Sequence, residues 1–354
     1  MQKSIVLIIR DGWGINPNPD HNAVASAQTP NTDLLLKKYP NTILEASGTS
    51  VGLPEGYQGS SEVGHLNIGA GRIVEQEITK ITNNIQDGTF FNSPVFRKAI
   101  KNVIDNNSSL HLMGLVQDEG VHAHQDHLFA IMKHAKEQGV KQLYIHFFAD
   151  GRDSAPKSTI NYLRTLKEKI DEYGIGEIAT FMGRYYAMDR GKEWRLTTTA
   201  YDAITKGDGK KIDNEDRLED TIQEIYKTKT PNGKDMFDEY IPPLIIGGYE
   251  GVKDGDSVIH FNYRQDRAIQ LTMAFVEDDY PGKRWKKFDI VYCGLTRYYD
   301  TFHYNILEPM DDSGGMDNLL SQILSQIGLK QIRISETQKY SHVTSFIDGK
   351  RTEP

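Results

Sequence analysis

Leu110–Val116, with the sequence LHLMGLV, is the stretch that determines the fold class of this chain. It is a short apolar run of the length that a buried strand has. An amphipathic helix is predicted after it, over Leu128–Gln138, and Gly139 ends the helical pattern. The next apolar run, Leu143–Ala149, predicts a second buried strand. A strand, a helix and a strand in this order indicate a parallel sheet with helical crossovers.

The same alternation extends in both directions from this stretch. Ile5–Ile9 predicts a buried strand, and Thr29 with Pro30 predicts the start of a helix that continues to Lys38. The polar stretch Lys206–Asp220 predicts a solvated loop. Further strands are predicted at Glu177–Met182, Ser257–Asn262 and Phe288–Cys293, and further helices around Val74–Ile85 and after Ser93-Pro94. The sequence therefore predicts an α/β protein with a largely parallel sheet.

The length of 354 residues suggests two domains, at about 150 residues per domain. The stretches Gly69–Glu75 and Glu308–Gly315 are rich in glycine and are the best candidates for linkers. They bracket a central block of the chain. We therefore expect one domain to be inserted into another.

The composition excludes several classes of protein. The net charge is −8, which disfavours generic binding to nucleic acids or anionic membranes. A disulfide within the chain is impossible because Cys293 is the single cysteine. No run approaches the roughly 20 apolar residues of a membrane span. We expect a soluble intracellular enzyme, and a single cysteine fits a reducing cytoplasm.

Two stretches near the N-terminus contain chemically reactive side chains. Asp11 follows the first predicted strand, where a carboxylate can serve as a metal ligand, as a general base or simply as the cap of the next turn. The stretch GSSEVGH, Gly59–His65, places Ser61 near a predicted helix N-terminus, which favours a developing alkoxide or a phosphoryl group. The alternative for this serine is an ordinary helix N-cap.

Basic side chains follow several predicted strands. Their shared position is the carboxyl end of a strand, and parallel strands present these ends at the same edge of a sheet. Arginine side chains match the oxygens of phosphate and carboxylate groups, so this edge is suited to a small polyanion. The alternative is a set of exposed arginines in weak surface ion pairs. The residues are His122, Arg152, Asp153, Arg184, Arg190, Arg264 and Arg267, of which Arg264 and Arg267 would share one face if a helix began there.

A competing motif lies at His122–His127, with the sequence HAHQDH. It is similar to the dinuclear zinc motif of the metallo-β-lactamase fold, whose ligands would here include His122, His124 and His127. An amphipathic helix follows the motif, where that family usually has a glycine turn. The zinc hydrolase is therefore kept as an alternative only.

Six ordered motifs together make the chain resemble the cofactor-independent phosphoglycerate mutases, relatives of alkaline phosphatase. The resemblance extends from Ile5 to about Thr344. The motifs are Asp11–Gly14, Ser61–Arg72, Asp118–His122, Asp150–Asp153, Gly183–Arg190 and Asn262–Arg267. It implies an alkaline-phosphatase-like domain from residues 1–75 and 311–354, with a phosphotransferase domain of residues 76–310 inserted.

The resemblance also implies roles for single residues. Ser61 would be the nucleophile that takes the phosphoryl group from 3-phosphoglycerate and returns it to give 2-phosphoglycerate. Asp11 and Ser61 would be ligands of one of two manganese ions, for which magnesium or another divalent ion is an alternative. The residues that hold the substrate would be His122, Arg152, Asp153, Arg184, Arg190, Arg264, Arg267 and Lys339.

One departure from the family concerns the end of the chain. In the family, most of the phosphatase-like domain and its cluster of Asp and His ligands follow the segment around Lys339. In this sequence, no Asp/His cluster follows Met310. We therefore expect a truncated mutase without turnover of its own, with exposed edge strands and apolar helix faces. A non-catalytic phosphoglycerate-binding protein is a further alternative.

Overall fold

The computed structural model describes residues 4–299, 302 and 316–349. Its contacts divide the chain into two compact units, Met1–Gln76 with Gly315–Pro354 and Glu77–Gly314. Within the described residues, no helix is both long and apolar enough to cross a membrane. The α-helices are α1 (Ala23–Ser26), α2 (Pro30–Lys38), α3 (Ser61–Ala70), α4 (Glu77–Gln86), α5 (Thr89–Asn92), α6 (Pro94–Asn106), α7 (Gln125–Glu137), α8 (Thr159–Tyr173), α9 (Arg184–Ala187), α10 (Trp194–Lys206), α11 (Leu218–Ile225), α12 (Ile269–Val276) and α13 (Leu320–Gln326).

The first unit contains α1, α2, α3 and α13, together with a π-helical turn at His342–Phe346. The predicted strand at Ile5–Ile9 is wrong, because these residues have no regular structure and Ile5 is 94% exposed. A strand needs a neighbouring strand for its backbone hydrogen bonds, and none pairs with this segment in the described residues of the unit. The start predicted for α2 is confirmed, since Thr29 is its N-cap and Pro30 its first residue. The prediction that apolar helix faces are exposed is also confirmed, as Leu34, Leu35 and Leu36 of α2 are each more than half exposed.

The second unit is built on a seven-stranded sheet with the order β4-β5-β3-β2-β1-β6-β7. All neighbouring strands are parallel except β3 and β5, which are antiparallel. The central strands are buried on both faces, as expected for a parallel sheet between helices. The strands are β1 (Ser109–Leu115), β2 (Gln142–Ala149), β3 (Glu177–Gly183), β4 (Lys210–Ile212), β5 (Leu244–Ile246), β6 (Ser257–His260) and β7 (Val291–Gly294).

The α/β fold class and the predicted strands at β1, β2, β3, β6 and β7 are confirmed, with shifts of one to three residues at their ends. The solvated loop predicted over Lys206–Asp220 is wrong, because β4 lies inside it and pairs with β5. Gly69 and Ala70 are helical residues rather than part of a linker. The other predicted linker, Glu308–Gly315, lies outside the described residues.

Helices of the second unit begin and end close to the predicted positions. α4 begins at Glu77, three residues after Val74, and buries Ile78 and Ile81. α6 begins at Pro94 as predicted and buries Ile100 and Val103, whereas Ile104 at its end is 46% exposed. Cys293 is buried in β7, and burial raises the pKa of its thiol to about 12, consistent with packing rather than reactivity.

A row of buried polar side chains crosses the sheet from β3 through β2 and β1 to the residue before β6. His146 of β2 hydrogen-bonds Thr180 of β3 through Nδ1 at 2.9 Å and His111 of β1 through Nε2 at 3.0 Å. His111 in turn contacts Asp256, which precedes β6, at 3.2 Å. Burial lowers the pKa of His146 well below its ordinary value, so the ring is neutral. The row thus joins Thr180, His146, His111 and Asp256 through consecutive hydrogen-bond contacts across the sheet.

Candidate functional site

Ser61 lies at a helix N-terminus, as its sequence context predicts. It is the first residue of α3, and the side chain of Ser60 caps the helix by accepting from the backbone N–H of Val63 at 3.3 Å. The capping role that was the alternative for Ser61 thus belongs to Ser60. The Ser61 hydroxyl is left for other contacts at the positive end of the helix dipole.

The Ser61 hydroxyl is held between a carboxylate and an ammonium group. Ser61 donates to Oδ2 of Asp11, and Lys339 Nζ lies 2.9 Å from Ser61 Oγ and 2.6 Å from Asp11 Oδ2. The hydrogen bonds from Lys339 and then from Ser61 lower the pKa of Asp11, so this carboxylate is ionised at neutral pH. The first unit thus brings together three of the predicted site residues. An ionised carboxylate can accept the hydroxyl proton, and the ammonium group can stabilise negative charge on Oγ.

Two histidines flank this hydroxyl group. His65 is buried one turn after Ser61 and hydrogen-bonds its backbone oxygen through Nδ1 at 2.8 Å. The ring of His342 packs edge-on against His65, with ring centres 5.2 Å apart. Sequence reasoning assigned no role to His65, although it lies four residues after Ser61, on the same helix face.

The described residues of the first unit do not complete a site for two divalent ions. Asp11 and Ser61 supply two ligand side chains, and the positively charged ammonium group of Lys339 contacts both of them. Manganese and magnesium prefer about six oxygen or nitrogen ligands. Among the residues that the structure describes, no group of three or more His, Cys, Asp or Glu side chains is placed to hold a metal.

The second unit gathers the other predicted site residues where its parallel strands end. His122 follows β1, Asp150–Asp153 directly follow β2, Arg184 directly follows β3, and Arg264 and Arg267 follow β6. We call Arg152, Arg184, Arg190, Arg264 and Arg267 the cationic cluster, whose charges act on His122. The condition for Arg264 and Arg267 to share a helix face is not met, because α12 begins at Ile269 and the residues before it form a turn.

Arg184 is the buried member of the cationic cluster. Its Nη1 donates to Asp150 Oδ1 at 2.5 Å and to Asp153 Oδ2 at 2.6 Å. Burial alone would lower the pKa of Arg184, but Asp150 and Asp153 raise it above its ordinary value. Asp150 also accepts the backbone N–H groups of residues 152–154. This carboxylate therefore fixes both the loop after β2 and the guanidinium group after β3.

The other arginines are held by three different acceptors. Arg190 Nη1 lies 2.6 Å from Asp266 Oδ2, and Arg264 Nε lies 3.3 Å from Asp266 Oδ1. Arg267 donates to the backbone oxygen of Met188 at 3.0 Å, and Arg152 lies 3.4 Å from Glu239 Oε1. Sequence reasoning did not identify the acidic side chains Asp150, Asp266 and Glu239. The available signal was the presence of Asp150 and Asp266 inside the arginine motifs themselves.

The charges of these arginines act on one another and on His122. Burial, and then the charges of Arg184, Arg190 and Arg152, lower the pKa of Arg267. Burial, followed by the charges of Arg184 and Arg264, lowers the pKa of His122 to about 2. His122 is therefore a neutral ring among positive charges. Such mutual repulsion in a half-buried region is relieved when an anion binds.

The histidines of the HAHQDH motif have separate environments. His127 is buried, and its Nε2 hydrogen-bonds Thr82 Oγ1 at 2.9 Å. His124 accepts the backbone N–H of Asp126 at 3.2 Å as the N-cap of α7. Burial, and then His124, lower the pKa of His127 to about 3. In the part of the chain that the structure describes, the motif provides capping and packing and forms no metal-binding group.

A family model and individual relatives of the same description match this chain. The model of the family described as "BPG-independent PGAM N-terminus" matches residues 81–300. A 2,3-bisphosphoglycerate-independent phosphoglycerate mutase of Acetivibrio thermocellus is 44% identical over 353 residues, which is 98% of this chain and 67% of that protein. A relative of the same description from Methanosarcina acetivorans, mutase 1, is 47% identical over 355 residues, again 98% of this chain and 67% of that protein.

A solved structure is similar to the whole chain. The phosphoglycerate mutase of Leishmania mexicana, crystallised at low cobalt concentration, aligns with a TM-score of 0.78 and 28% sequence identity. The alignment covers 97% of this chain and 64% of that chain. The present chain thus spans about two thirds of the length of these relatives.

Proposed function

Because the chain belongs to the family of 2,3-bisphosphoglycerate-independent phosphoglycerate mutases, we propose that it binds phosphoglycerate and provides the nucleophile that interconverts the 3- and 2-phosphate esters. The observation that best supports substrate binding is the cationic cluster at the carboxyl ends of β2, β3 and β6. A phosphoglycerate has a phosphate and a carboxylate at its two ends. Several arginines in one region suit two such anionic groups.

Ser61 is the proposed nucleophile. Its Oγ attacks phosphorus, an O–P bond to serine forms, the bond to the glycerate oxygen breaks, and the departing oxygen takes up a proton to become a hydroxyl group. Asp11 accepts the hydroxyl proton, and Lys339 stabilises the negative charge on Oγ. Attack by the other glycerate hydroxyl on the phosphoserine then gives the isomeric ester and restores Ser61.

Retention of glycerate is the proposed task of the cationic cluster together with Asp153. If glycerate left before the second transfer, water would hydrolyse the phosphoserine and the protein would be a phosphatase. Arginine contacts to the carboxylate keep the acid bound during the exchange of hydroxyl groups. Arg184 is suited to this because Asp150 and Asp153 already fix its orientation.

Divalent metal use is suggested by the family, and two manganese ions form part of the proposal. Asp11 and Ser61 are the proposed ligands of one ion, but they are too few to complete its coordination. We therefore expect the 354-residue chain to bind the ester without turnover of its own. We also propose that the protein is cytoplasmic and monomeric.

Calorimetric titration with 3-phosphoglycerate tests the binding proposal, with glycerate as the ligand that lacks phosphate. We expect saturable binding of the ester and at least tenfold weaker binding of glycerate. Equal binding of the two compounds, or none, would contradict the role of the cationic cluster.

A coupled assay for 2-phosphoglycerate in the presence of manganese tests the expectation about turnover. Robust product formation would show that the expectation of inactivity is wrong. Mass spectrometry at Ser61 after incubation with the ester distinguishes a mutase from a protein that only binds phosphoglycerate. A phosphoserine at position 61 supports the proposed nucleophile.

A further inference from the structure

Two buried polar atoms face each other in the second unit without forming a hydrogen bond. They are Nδ1 of His122 and Oδ1 of Asp266, and 3.8 Å separates them. Neither atom has a hydrogen-bond partner in the part of the chain that the structure describes. Buried polar atoms are usually hydrogen-bonded, because they have given up their hydrogen bonds to water.

The backbone fixes this arrangement independently of any ligand. The carbonyl oxygen of His122 accepts the N–H of Tyr263 at 2.8 Å and that of Arg264 at 3.4 Å. The phenol of Tyr263 donates to the backbone oxygen of Gly120 at 2.7 Å. The turn that contains Asp266 is thus tied to the loop that contains His122.

The opposite side of the His122 ring faces a second carboxylate. Asp153 Oδ2 lies 3.8 Å from His122 Nε2, but this oxygen already accepts a hydrogen bond from Arg184 at 2.6 Å. Asp266 uses its other oxygen, Oδ2, for Arg190. Oδ1 of Asp266 has only a longer ion-pair contact, with Arg264 Nε at 3.3 Å. It is therefore the better acceptor for an imidazole N–H, and a movement of about 1 Å brings it to hydrogen-bond distance.

We propose that Asp266 is a positioning residue that holds the His122 ring in the tautomer with its proton on Nδ1. Arg190 and Arg264 hold the Asp266 carboxylate in place for this contact. Burial keeps the ring neutral, as the low pKa of His122 indicates, so one nitrogen bears the proton and the other has a lone pair.

The tautomer determines what His122 can do. With the proton on Nδ1, the lone pair of Nε2 points toward the side of Asp153 and can accept a hydrogen bond from an alcohol. This consequence rests on the proposed function, in which the ligand is a hydroxy acid ester. His122 would then recognise the free hydroxyl group, while the arginines bind the two anionic groups.

Long-range ¹H–¹⁵N correlation spectra of the histidine-labelled chain at pH 7 test the tautomer without any ligand. We expect a pyrrole-type nitrogen at Nδ1 and a pyridine-type nitrogen at Nε2 for His122, which His122→Gln identifies by loss of its signals. The buried rings of His111 and His146, which lie outside the cationic cluster, are observed in the same spectrum and should be unchanged in the variants below. A wild-type His122 with its proton on Nε2 would overturn the proposal.

Removal of the acceptor tests the role of Asp266 directly. In Asp266→Ala, and in Asp266→Leu, which retains the volume, we expect the His122 proton to move to Nε2. The matched control is Asp189→Ala, which removes a nearby carboxylate that accepts from Gln270 rather than facing His122. An unchanged tautomer in both Asp266 variants, or the same change in Asp189→Ala, would contradict the assignment.

Two ligands separate this inference from the proposed function. With 3-phosphoglycerate we expect the Nε2 resonance of His122 to shift upfield, because the hydroxyl group donates to its lone pair. With 2-phosphoglycolate, which has both anionic groups but no free hydroxyl, we expect binding and less than a third of that shift. Failure of both ligands to bind refutes the proposed substrate and leaves the tautomer result standing, whereas equal shifts refute recognition of the hydroxyl group.

Discussion

Arg184 and Asp150 form an ion pair in the interior of the second unit. Nη1 of Arg184 lies 2.5 Å from Oδ1 of Asp150, and both side chains are 1% exposed. Each is the first residue after its strand, Asp150 after β2 and Arg184 after β3. The stability of the unit and the position of a proposed substrate-binding group therefore depend on the same contact.

Removing Asp150 should destabilise the protein strongly, because buried Arg184 would keep only the partly exposed Asp153 as a partner among the described residues and three backbone N–H groups would lose their acceptor. We expect Asp150→Ala to lower the free energy of unfolding by about 3–5 kcal/mol. The matched control is Glu219→Ala, which breaks the pair between Glu219 and the exposed Arg164 and should cost less than about 1 kcal/mol. Urea unfolding followed by tryptophan fluorescence measures both. Equal losses would mean that burial of the first pair has no energetic effect.

Replacing Arg267 should weaken binding of phosphoglycerate with little effect on folding. Its guanidinium group is half-buried and lies near other positive charges, which lower its pKa together with burial. We expect Arg267→Gln to reduce the affinity for 3-phosphoglycerate by about ten- to a hundredfold, as expected for loss of a charge-assisted hydrogen bond. Arg164→Gln, outside the cationic cluster, should leave affinity unchanged. Calorimetry at constant ionic strength compares the two variants.

Replacing Lys339 should raise the pKa of Asp11. Lys339 and Ser61 both stabilise the ionised carboxylate, and Lys339 has the larger effect. We expect the pKa of Asp11 in Lys339→Met to move up toward its ordinary value, which carboxyl ¹³C NMR between pH 2 and 6 measures. Lys37→Met, on α2 of the same unit, is the control. A pKa of Asp11 that stays low in Lys339→Met would show that Lys339 does not contact it in solution.

The ionisation of Asp238 should give the folded protein a distinct pH dependence. Burial raises its pKa to about 6 from 3.8, although Tyr226 and the backbone N–H groups of Thr159 and Ser158 oppose the shift. Because the folded-state pKa is raised, the contribution of Asp238 to stability is present below pH 4 and is lost as the pH rises through 6.

A variant that cannot ionise should lack this loss. Between pH 4 and 7 we expect the wild type to lose about 2–3 kcal/mol of unfolding free energy relative to Asp238→Asn. Asp235→Asn, at an exposed position nearby, should give a difference from the wild type of the opposite sign, because Lys229 lowers the pKa of Asp235. Parallel profiles for wild type and Asp238→Asn would contradict the raised pKa.

The exposed apolar run at residues 5–8 should promote self-association. Val6 is 78% exposed and Ile8 is 77% exposed, and a contiguous exposed apolar stretch favours aggregation. We expect the double variant Val6→Thr with Ile8→Thr to bind less of the dye ANS and to associate less at high concentration by light scattering. Val258→Thr in the buried strand β6 should instead lower stability. Unchanged scattering in the double variant would rule out this run as the associating surface.

The central strands could be predicted from the sequence because their burial on both faces leaves continuous apolar runs, as at β1 and β2. The conformation of Ile5–Ile9 could not be predicted correctly. Its apolar run is like those of β1 and β2, but such a run does not reveal whether a pairing strand is present. The strands β4 and β5 were missed because each has three residues, and β4 contains two lysines.

The sequence predicted the position of the basic side chains, because residues that follow parallel strands lie at one edge of the sheet whatever the exact strand ends are. It did not find the carboxylates that orient them. The effect of Asp266 depends on the turn before α12, which brings it to His122 across more than 140 positions of the chain. Such pairings are set by tertiary structure, and no local pattern encodes them.

The polar row from Thr180 to Asp256 has a consequence for how the sheet assembles. Apolar strands tolerate several alignments, since one branched side chain packs much like another. A shift of β1 by one residue would turn His111 to the opposite face of the sheet. Nε2 of the buried His146 ring would then lose its hydrogen-bond partner. These four side chains therefore favour one register between neighbouring strands, because every other register would leave buried polar groups without partners.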